Sequence, residues 1–176
     1  MEKKKLLVVV DMQNDFVTGV LGTKEAQAIV EPMAEYIKNF DGDVIFTQDT
    51  HHKNYLDTQE GKKLPVPHCI RGTKGWQIVP ELDSPFNLTI EKETFGSVRM
   101  CQNFLDSTIH YCQENISEVQ FCGVCTGICV ISNVLMLKAF CPNMPIKVIE
   151  RLCACVTPES HKTAIEAMRT CQVDII

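Results

Sequence analysis

The sequence predicts an α/β fold, a doubly wound and mostly parallel sheet flanked by helices in three layers. Three observations predict it. Short β-branched apolar runs alternate along the chain with stretches of helical period. The first run, residues 6–10, is apolar at every position, as a strand buried on both faces requires. The 176-residue length suits one domain around one core, and no linker, internal repeat or low-complexity segment divides residues 1–176.

The elements follow in order. Residues 6–10 form the first strand, with Lys3 to Lys5 as its solvated lead-in. Residues 14–22 read as loop, where Gly19 and Gly22 supply turns. Ala26, Ile29, Val30, Met33, Ile37 and Phe40 are spaced as one helical face, so residues 26–39 form a helix that Asp41-Gly42 stops. Residues 43–48 make a second strand. Residues 49–85 carry four prolines, three glycines and little periodicity, and a loop this long in a small domain is usually functional. Strands are read at 87–91, 119–122 and 145–150, and helices at 100–113 and 128–140. Pro158 opens a last helix through residue 170, and residues 173–176 form a short final strand.

Composition narrows the function. Hydrophobic residues are 45% and charged residues 22%, the balance of a soluble globular protein. Lys and Arg number 17 against 22 Asp and Glu, a net charge of −5 that disfavours a nucleic-acid partner. The run 6–10 is too short to span a bilayer and ends in Asp11 rather than a small-residue cleavage site, so a cytoplasmic location without membrane contact is expected. In that compartment most of the ten cysteines read as small buried apolar residues, with one or two left for chemistry.

In a sheet of this type, ligands bind beyond the carboxyl ends of the strands. Asp11, Asp49 with His51, Lys92, and Cys125 with Cys129 all fall at that edge, although each taken alone also reads as an ordinary loop residue. Cys129 lies where a strand and a Gly turn enter a helix. The N–H groups and dipole there would lower a thiol pKa and hold an oxyanion, and burial as a small apolar residue is an equal alternative. Asp49-x-His51 directs two side chains to one side of an extended segment, and His68 can return from the long loop. Together they would suit Zn, Mn or Fe. His52 points the other way, and His110 and His161 read as plain histidines of amphipathic helices. With the histidines on a metal, Asp11 is left as proton acceptor for the thiol and Lys92 as its neighbouring cation.

Five motifs then share one resemblance. VDMQNDF at 10–16, TQDTH at 47–51, PHCIRGT at 67–73, Glu91-Lys92 and GVCTGICV at 123–130 resemble, in order, the isochorismatase-like cysteine hydrolases. The resemblance covers residues 6 to about 160. It implies a single cysteine hydrolase domain with Cys129 as nucleophile, Asp11 as general acid/base and Lys92 as third member of a triad. The backbone N–H groups of Cys125 and Cys129 match the oxyanion hole, behind a cis Val124–Cys125 peptide, and Phe16 and Val124 match the substrate pocket. Asp49, His51 and His68 match the metal site of the family's nicotinamidase branch, with Glu60 as a further candidate ligand. The implied cofactor is a divalent metal, zinc first and Mn or Fe as alternatives.

The activity this implies is hydrolysis of nicotinamide to nicotinic acid and ammonia through a thioester, in NAD salvage, by a homo-oligomer. The enzyme alternatives are an N-carbamoyl amidase, a ureidoacrylate-type amidase or an isochorismatase. A thiol-rich redox or zinc-binding protein is the non-enzymatic one. Leu64-Pro-Val-Pro before His68, and Gly127 and Ile128 after Thr126, depart from the nicotinamidase pattern beside the pocket.

Overall fold

Six parallel strands form one sheet in the order β3-β2-β1-β4-β5-β6 in the computed structural model, which describes residues 3–84 and 87–176. The strands are β1 (Lys4–Val10), β2 (Gly42–Asp49), β3 (Leu88–Lys92), β4 (Ile116–Val124), β5 (Ile146–Ala154) and β6 (Asp174–Ile175). Helices α1 (Asn14–Val17), α2 (Lys24–Ala28), α3 (Val30–Lys38), α4 (Gln59–Lys63), α5 (Val98–Leu105), α6 (Ile131–Phe140) and α7 (Pro158–Thr170) connect them. The chain starts at the centre in β1, builds outward through β2 and β3, then returns beside β1 with β4. That reversal makes the β1/β4 boundary the switch point where such sheets open a crevice. Asp11 leaves β1 there and Cys125 leaves β4.

The core explains the continuous apolar strands. Leu7, Val8, Val9 and Val10 are fully buried, as are Val119, Phe121 and Val148 of the neighbouring strands. At about 25 cal/mol per Å² of apolar surface, each such side chain contributes on the order of 2 kcal/mol. Eight of the ten cysteines are buried, Cys125 is half-buried and only Cys171 is exposed, and all ten are free thiols.

Two of the expected helices are split or cut short, each for a local reason, and residues 14–17, read as loop, form α1. The single helix expected at 26–39 is split at Ile29. Pro32 has no N–H to give the Ala28 carbonyl, so the ladder breaks one turn earlier. The helix expected to run to residue 113 ends at Leu105. The Asp106 carboxylate accepts from Thr108 N (2.9 Å) and Thr108 Oγ1 (2.7 Å), a local turn that competes with the next helical bonds. His110 is therefore an exposed turn residue rather than a helical one.

The long loop is also more ordered than its composition implies. It holds a 3₁₀ turn at Tyr55–Asp57 and the short helix α4, whose N-cap Thr58 accepts from Gly61 N at 3.0 Å. Gly61 is required there, since a Cβ would sit 2.1 Å from the Tyr55 carbonyl. Pro85, where that loop was read to end, lies outside the described residues.

Candidate active site

The strand ends deliver the site. Asp49 and Lys92 are the last residues of β2 and β3 and are register partners, so their side chains leave the same side of the sheet. Asp11 follows β1 in the left-handed region at φ 50°, a conformation aspartate tolerates better than most residues. Its N–H donates to the Thr47 carbonyl at 3.2 Å, and Thr47 Oγ1 donates to its Oδ1 at 2.7 Å. Gly123, next to last in β4, sits at φ 119°, where a Cβ would lie 2.1 Å from the Val10 carbonyl, so β4 meets β1 this closely only with glycine. The peptide that leaves β4, Val124–Cys125, is cis.

A π-helical turn, Thr126–Val130, then leads into α6 and carries Cys129. The sequence reading started one regular helix inside this turn, at residue 128. The wider turn arises because Val130 N–H reaches back to the Cys125 carbonyl at 3.1 Å, five residues away.

Lys92 Nζ joins the groups that strand geometry assembles. It lies 2.7 Å from Asp11 Oδ2, 3.2 Å from Asp49 Oδ1 and 3.6 Å from Cys129 Sγ. Asp11, Lys92, Asp49 and Cys129 are each no more than 6% exposed. A buried ammonium is stable only among such anions, and two carboxylates hold Lys92 firmly protonated against the cost of burial. Burial raises Asp11 above the ordinary aspartate range, with the Lys92 charge and the Thr47 hydroxyl pulling the other way.

The thiol corrects one expectation. Burial, and then the negative charge of Asp11, push Cys129 well above the usual thiol range despite Lys92. The turn that carries it does not produce a resting thiolate, so the proton has to be removed within the site.

Asp49 is shared with a second cluster. Among the described residues, Asp49, His51 and His68 form the group whose ligand atoms all lie within 4.8 Å of one another. Asp49 Oδ2 is 3.0 Å from His51 Nε2 and 3.7 Å from His68 Nε2. Glu60 Oε1 lies 3.6 and 3.8 Å from the same two nitrogens. His68 Nδ1 is 2.8 Å from the Val66 carbonyl, which fixes the proton on Nδ1 and leaves Nε2 with a free lone pair. His51 Nε2 is buried and makes no hydrogen bond of acceptable geometry. Two imidazoles and two carboxylates gathered around one point are the donor set of a divalent metal, and the residues fit one. Burial opposes the charge on Asp49, but His51 and Lys92 together hold it below the ordinary range.

Aromatic rings pack around the two histidines. The Phe16 ring stands 5.5 Å from His68, and Tyr55 packs 4.7 Å from His51 and 5.1 Å from His68, measured between ring centroids. Phe16 is half-buried beside the site, whereas the Val124 side chain belongs to the core. Tyr55 is a site neighbour that sequence reading passed over, because its loop showed no period to place it.

Two further residues were missed. His161, read as a plain helical histidine, brings Nδ1 2.9 Å from Oγ1 of the fully buried Thr126 in the Cys129 turn. Asn133, one turn after Cys129, bonds to both the Cys129 turn and the loop that follows Lys92. Only an unexplained amide inside an apolar helix pointed to it.

The chain has relatives along nearly its whole length. A nicotinamidase/pyrazinamidase of Mycobacterium tuberculosis is 26% identical over 184 residues, covering 98% of both chains. The zinc-complexed pyrazinamidase of Pyrococcus horikoshii superposes with a TM-score of 0.81 at 24% identity over 98% of each chain. The N-carbamoylsarcosine amidase of Thermoplasma acidophilum superposes at 0.74 with 22% identity, over 98% of this chain and 95% of that one. The isochorismatase domain model matches residues 5–176, so the switch-point crevice, the strand-end acid and lysine and the cysteine turn lie in a chain that belongs to the isochorismatase family.

Proposed function

We propose that the protein is a metal-dependent cysteine amidohydrolase whose substrate is nicotinamide, releasing nicotinic acid and ammonia. The observation that carries this reading is the position of Lys92 Nζ, in contact with Asp11, Cys129 and the metal-type carboxylate Asp49 in one buried site. A carboxylate, a thiol and a cation in mutual contact are what acyl transfer from an amide needs. A histidine-carboxylate cluster that shares Asp49 supports an aromatic nitrogen substrate, as does the pyrazinamidase and nicotinamidase character of the relatives.

In this reading the Cys129 thiol gives its proton to Asp11, and Sγ bonds to the carboxamide carbon. The backbone N–H groups of Cys125 and Cys129 receive the tetrahedral oxyanion. Asp11 hands its proton to the departing nitrogen, the C–N bond breaks and ammonia leaves a thioester on Cys129. Water then attacks that carbonyl while Asp11 takes its proton, and the C–S bond breaks to return the Cys129 thiol. Lys92 keeps Asp11 ionised and oriented, and offsets charge on sulfur as the proton leaves. Asp49, His51 and His68, with Glu60, would hold the metal, which supplies a coordination point for the ring nitrogen. Phe16 lines the ring pocket beside the Val124–Cys125 peptide.

Zinc is the first candidate for a site of two imidazoles and carboxylates, with Mn and Fe as alternatives. The same reading takes residues 1–176 as one hydrolase domain, acting in NAD salvage as a cytoplasmic homo-oligomer. No helix among the described residues is long and apolar enough to cross a membrane.

The test is ammonia release from nicotinamide by the zinc-loaded protein beside Cys129→Ala. Release that vanishes in the variant supports substrate and nucleophile together. Release that persists removes Cys129 from the chemistry. No release from the wild type retires nicotinamide and turns the search to carbamoyl compounds.

A further inference from the structure

Lys92 and Cys129 sit on two connections that are far apart in sequence. Lys92 closes β3 and leads into residues 93–97, whereas Cys129 lies in the turn before α6. Their 3.6 Å contact therefore depends on how the β3–α5 loop seats against α6.

One side chain spans that seat. Asn133 is fully buried, and its amide makes three hydrogen bonds. Nδ2 donates to the Cys129 carbonyl at 2.8 Å and to the Phe95 carbonyl at 3.1 Å, and Oδ1 accepts from Ser97 N at 2.9 Å. Both amide protons and the amide oxygen are used, which fixes the orientation of the group as well as its place. Ser97 in turn N-caps α5 by accepting from Met100 N at 3.1 Å, so the far end of the loop is held too.

A second feature shows how close the seat is. A Cβ at Gly96 would stand 2.9 Å from the Met136 methyl and 3.2 Å from the Ser132 carbonyl of α6. The loop backbone thus rests directly on the helix. At the π-to-α transition, Ser132 Oγ donates to the Ile128 carbonyl at 2.5 Å, and Asn133 Nδ2 does the same for Cys129. Side chains occupy carbonyls at the junction where the helical ladder changes its period.

We propose that Asn133 is a positioning residue that sets the distance between Lys92 and Cys129 by clamping the β3–α5 loop onto the first turn of α6. It touches neither substrate nor reacting atoms, and it acts through the Cys129 carbonyl on one side and the Phe95–Ser97 backbone on the other. The inference rests on the proposed roles of Lys92 and Cys129. Its prediction is a loss in the acylation step with substrate binding retained, because a misplacement of about 1 Å in a reactive pair costs on the order of 100-fold in rate.

The test uses p-nitrophenyl acetate, an activated ester, in rapid mixing with the metal-loaded protein. The burst of nitrophenolate is counted after subtracting Cys129→Ala, so it reports acylation of Cys129 whatever amide is the natural substrate. Asn133→Leu keeps the number and branching of the side-chain heavy atoms and removes all three bonds. Asn133→Ser is the milder variant if the first does not fold, since its hydroxyl can still bond the Cys129 carbonyl but cannot reach the loop. Leu137→Ala, a buried cavity on the same helix, controls for lost stability.

The expected result is a tenfold or greater fall in the acylation rate constant for the folded Asn133 variant, with its half-saturating ester concentration within twofold of wild type. Leu137→Ala should melt lower and acylate at the wild-type rate. An Asn133 variant that acylates at the wild-type rate overturns the proposal, as does an equal loss in Leu137→Ala. A wild type without a Cys129-dependent burst overturns both the nucleophile assignment and this inference. A burst without ammonia release from nicotinamide fails the substrate reading alone and leaves the Asn133 comparison decisive.

Discussion

Asp49 and Lys92 are partners across β2 and β3, and their side chains meet at 3.2 Å beyond the strand ends. The other oxygen of the same carboxylate faces His51 and His68. One aspartate thus links the lysine beside the thiol to the histidine cluster, and loss of its charge should be felt on both sides. Asp49→Asn keeps the shape and removes the charge. Metal affinity, measured by competition with a chromophoric chelator, is expected to fall by at least roughly 10- to 100-fold, the cost of losing even a partner one shell further out. A variant that binds metal as tightly as wild type would remove Asp49 from the ligand set.

Cys129→Ala removes a buried sulfur without adding a polar group. Turnover of nicotinamide should drop by at least roughly 10⁴-fold, since loss of a covalent nucleophile leaves only binding and oxyanion stabilisation. The fold should persist, seen as an unchanged far-ultraviolet circular dichroism spectrum.

Lys92→Met tests the charge balance of the site. It leaves Asp11 and Asp49 buried without their shared counter-ion, and breaking such a pair typically costs about 3–5 kcal/mol. For a chain of this size that is a melting-temperature loss on the order of 10 °C. The double variant Lys92→Met/Asp11→Asn, with one of the two charges gone, should recover part of it. Thermal unfolding of both variants without added metal decides the point.

The Thr47 hydroxyl donates to Asp11 Oδ1 and so favours the ionised carboxyl, against the burial that raises its pKa. Asp11 must be ionised to accept the thiol proton, so activity is lost as pH falls through its raised pKa. Thr47→Val withdraws the hydrogen bond and raises that pKa further. The acid limb of kcat/KM should therefore move to higher pH, and a limb that stays in place would show that another group controls it.

Gly123→Ala probes the closest backbone approach at the switch point. With φ at 119° and the Val10 carbonyl 2.1 Å from the new Cβ, β4 cannot keep its register with β1. A substantial loss of folded protein is expected, assayed by the soluble fraction and by chemical denaturation.

The sequence by itself determined the α/β class, the order of the elements and which residues stand at the strand ends. Those features follow from local hydrophobic period and from turn residues, which act over a few positions. Asp11, Asp49, His51, His68, Lys92 and Cys129 were legible because strand ends and the family motifs mark them directly. Tertiary structure decided what period cannot carry. The helix at 26–39 broke because Pro32 outweighed the apolar face, and the helix after residue 100 stopped where the Asp106 side chain took over. The resting state of Cys129 depended on burial and on Asp11, which overrode the expected effect of a helix start. Asn133 and His161 gained their positions near the thiol through hydrogen bonds to residues 35 to 38 positions away. Such contacts exist only once the strands have closed into a sheet, so no local pattern in the chain encodes them.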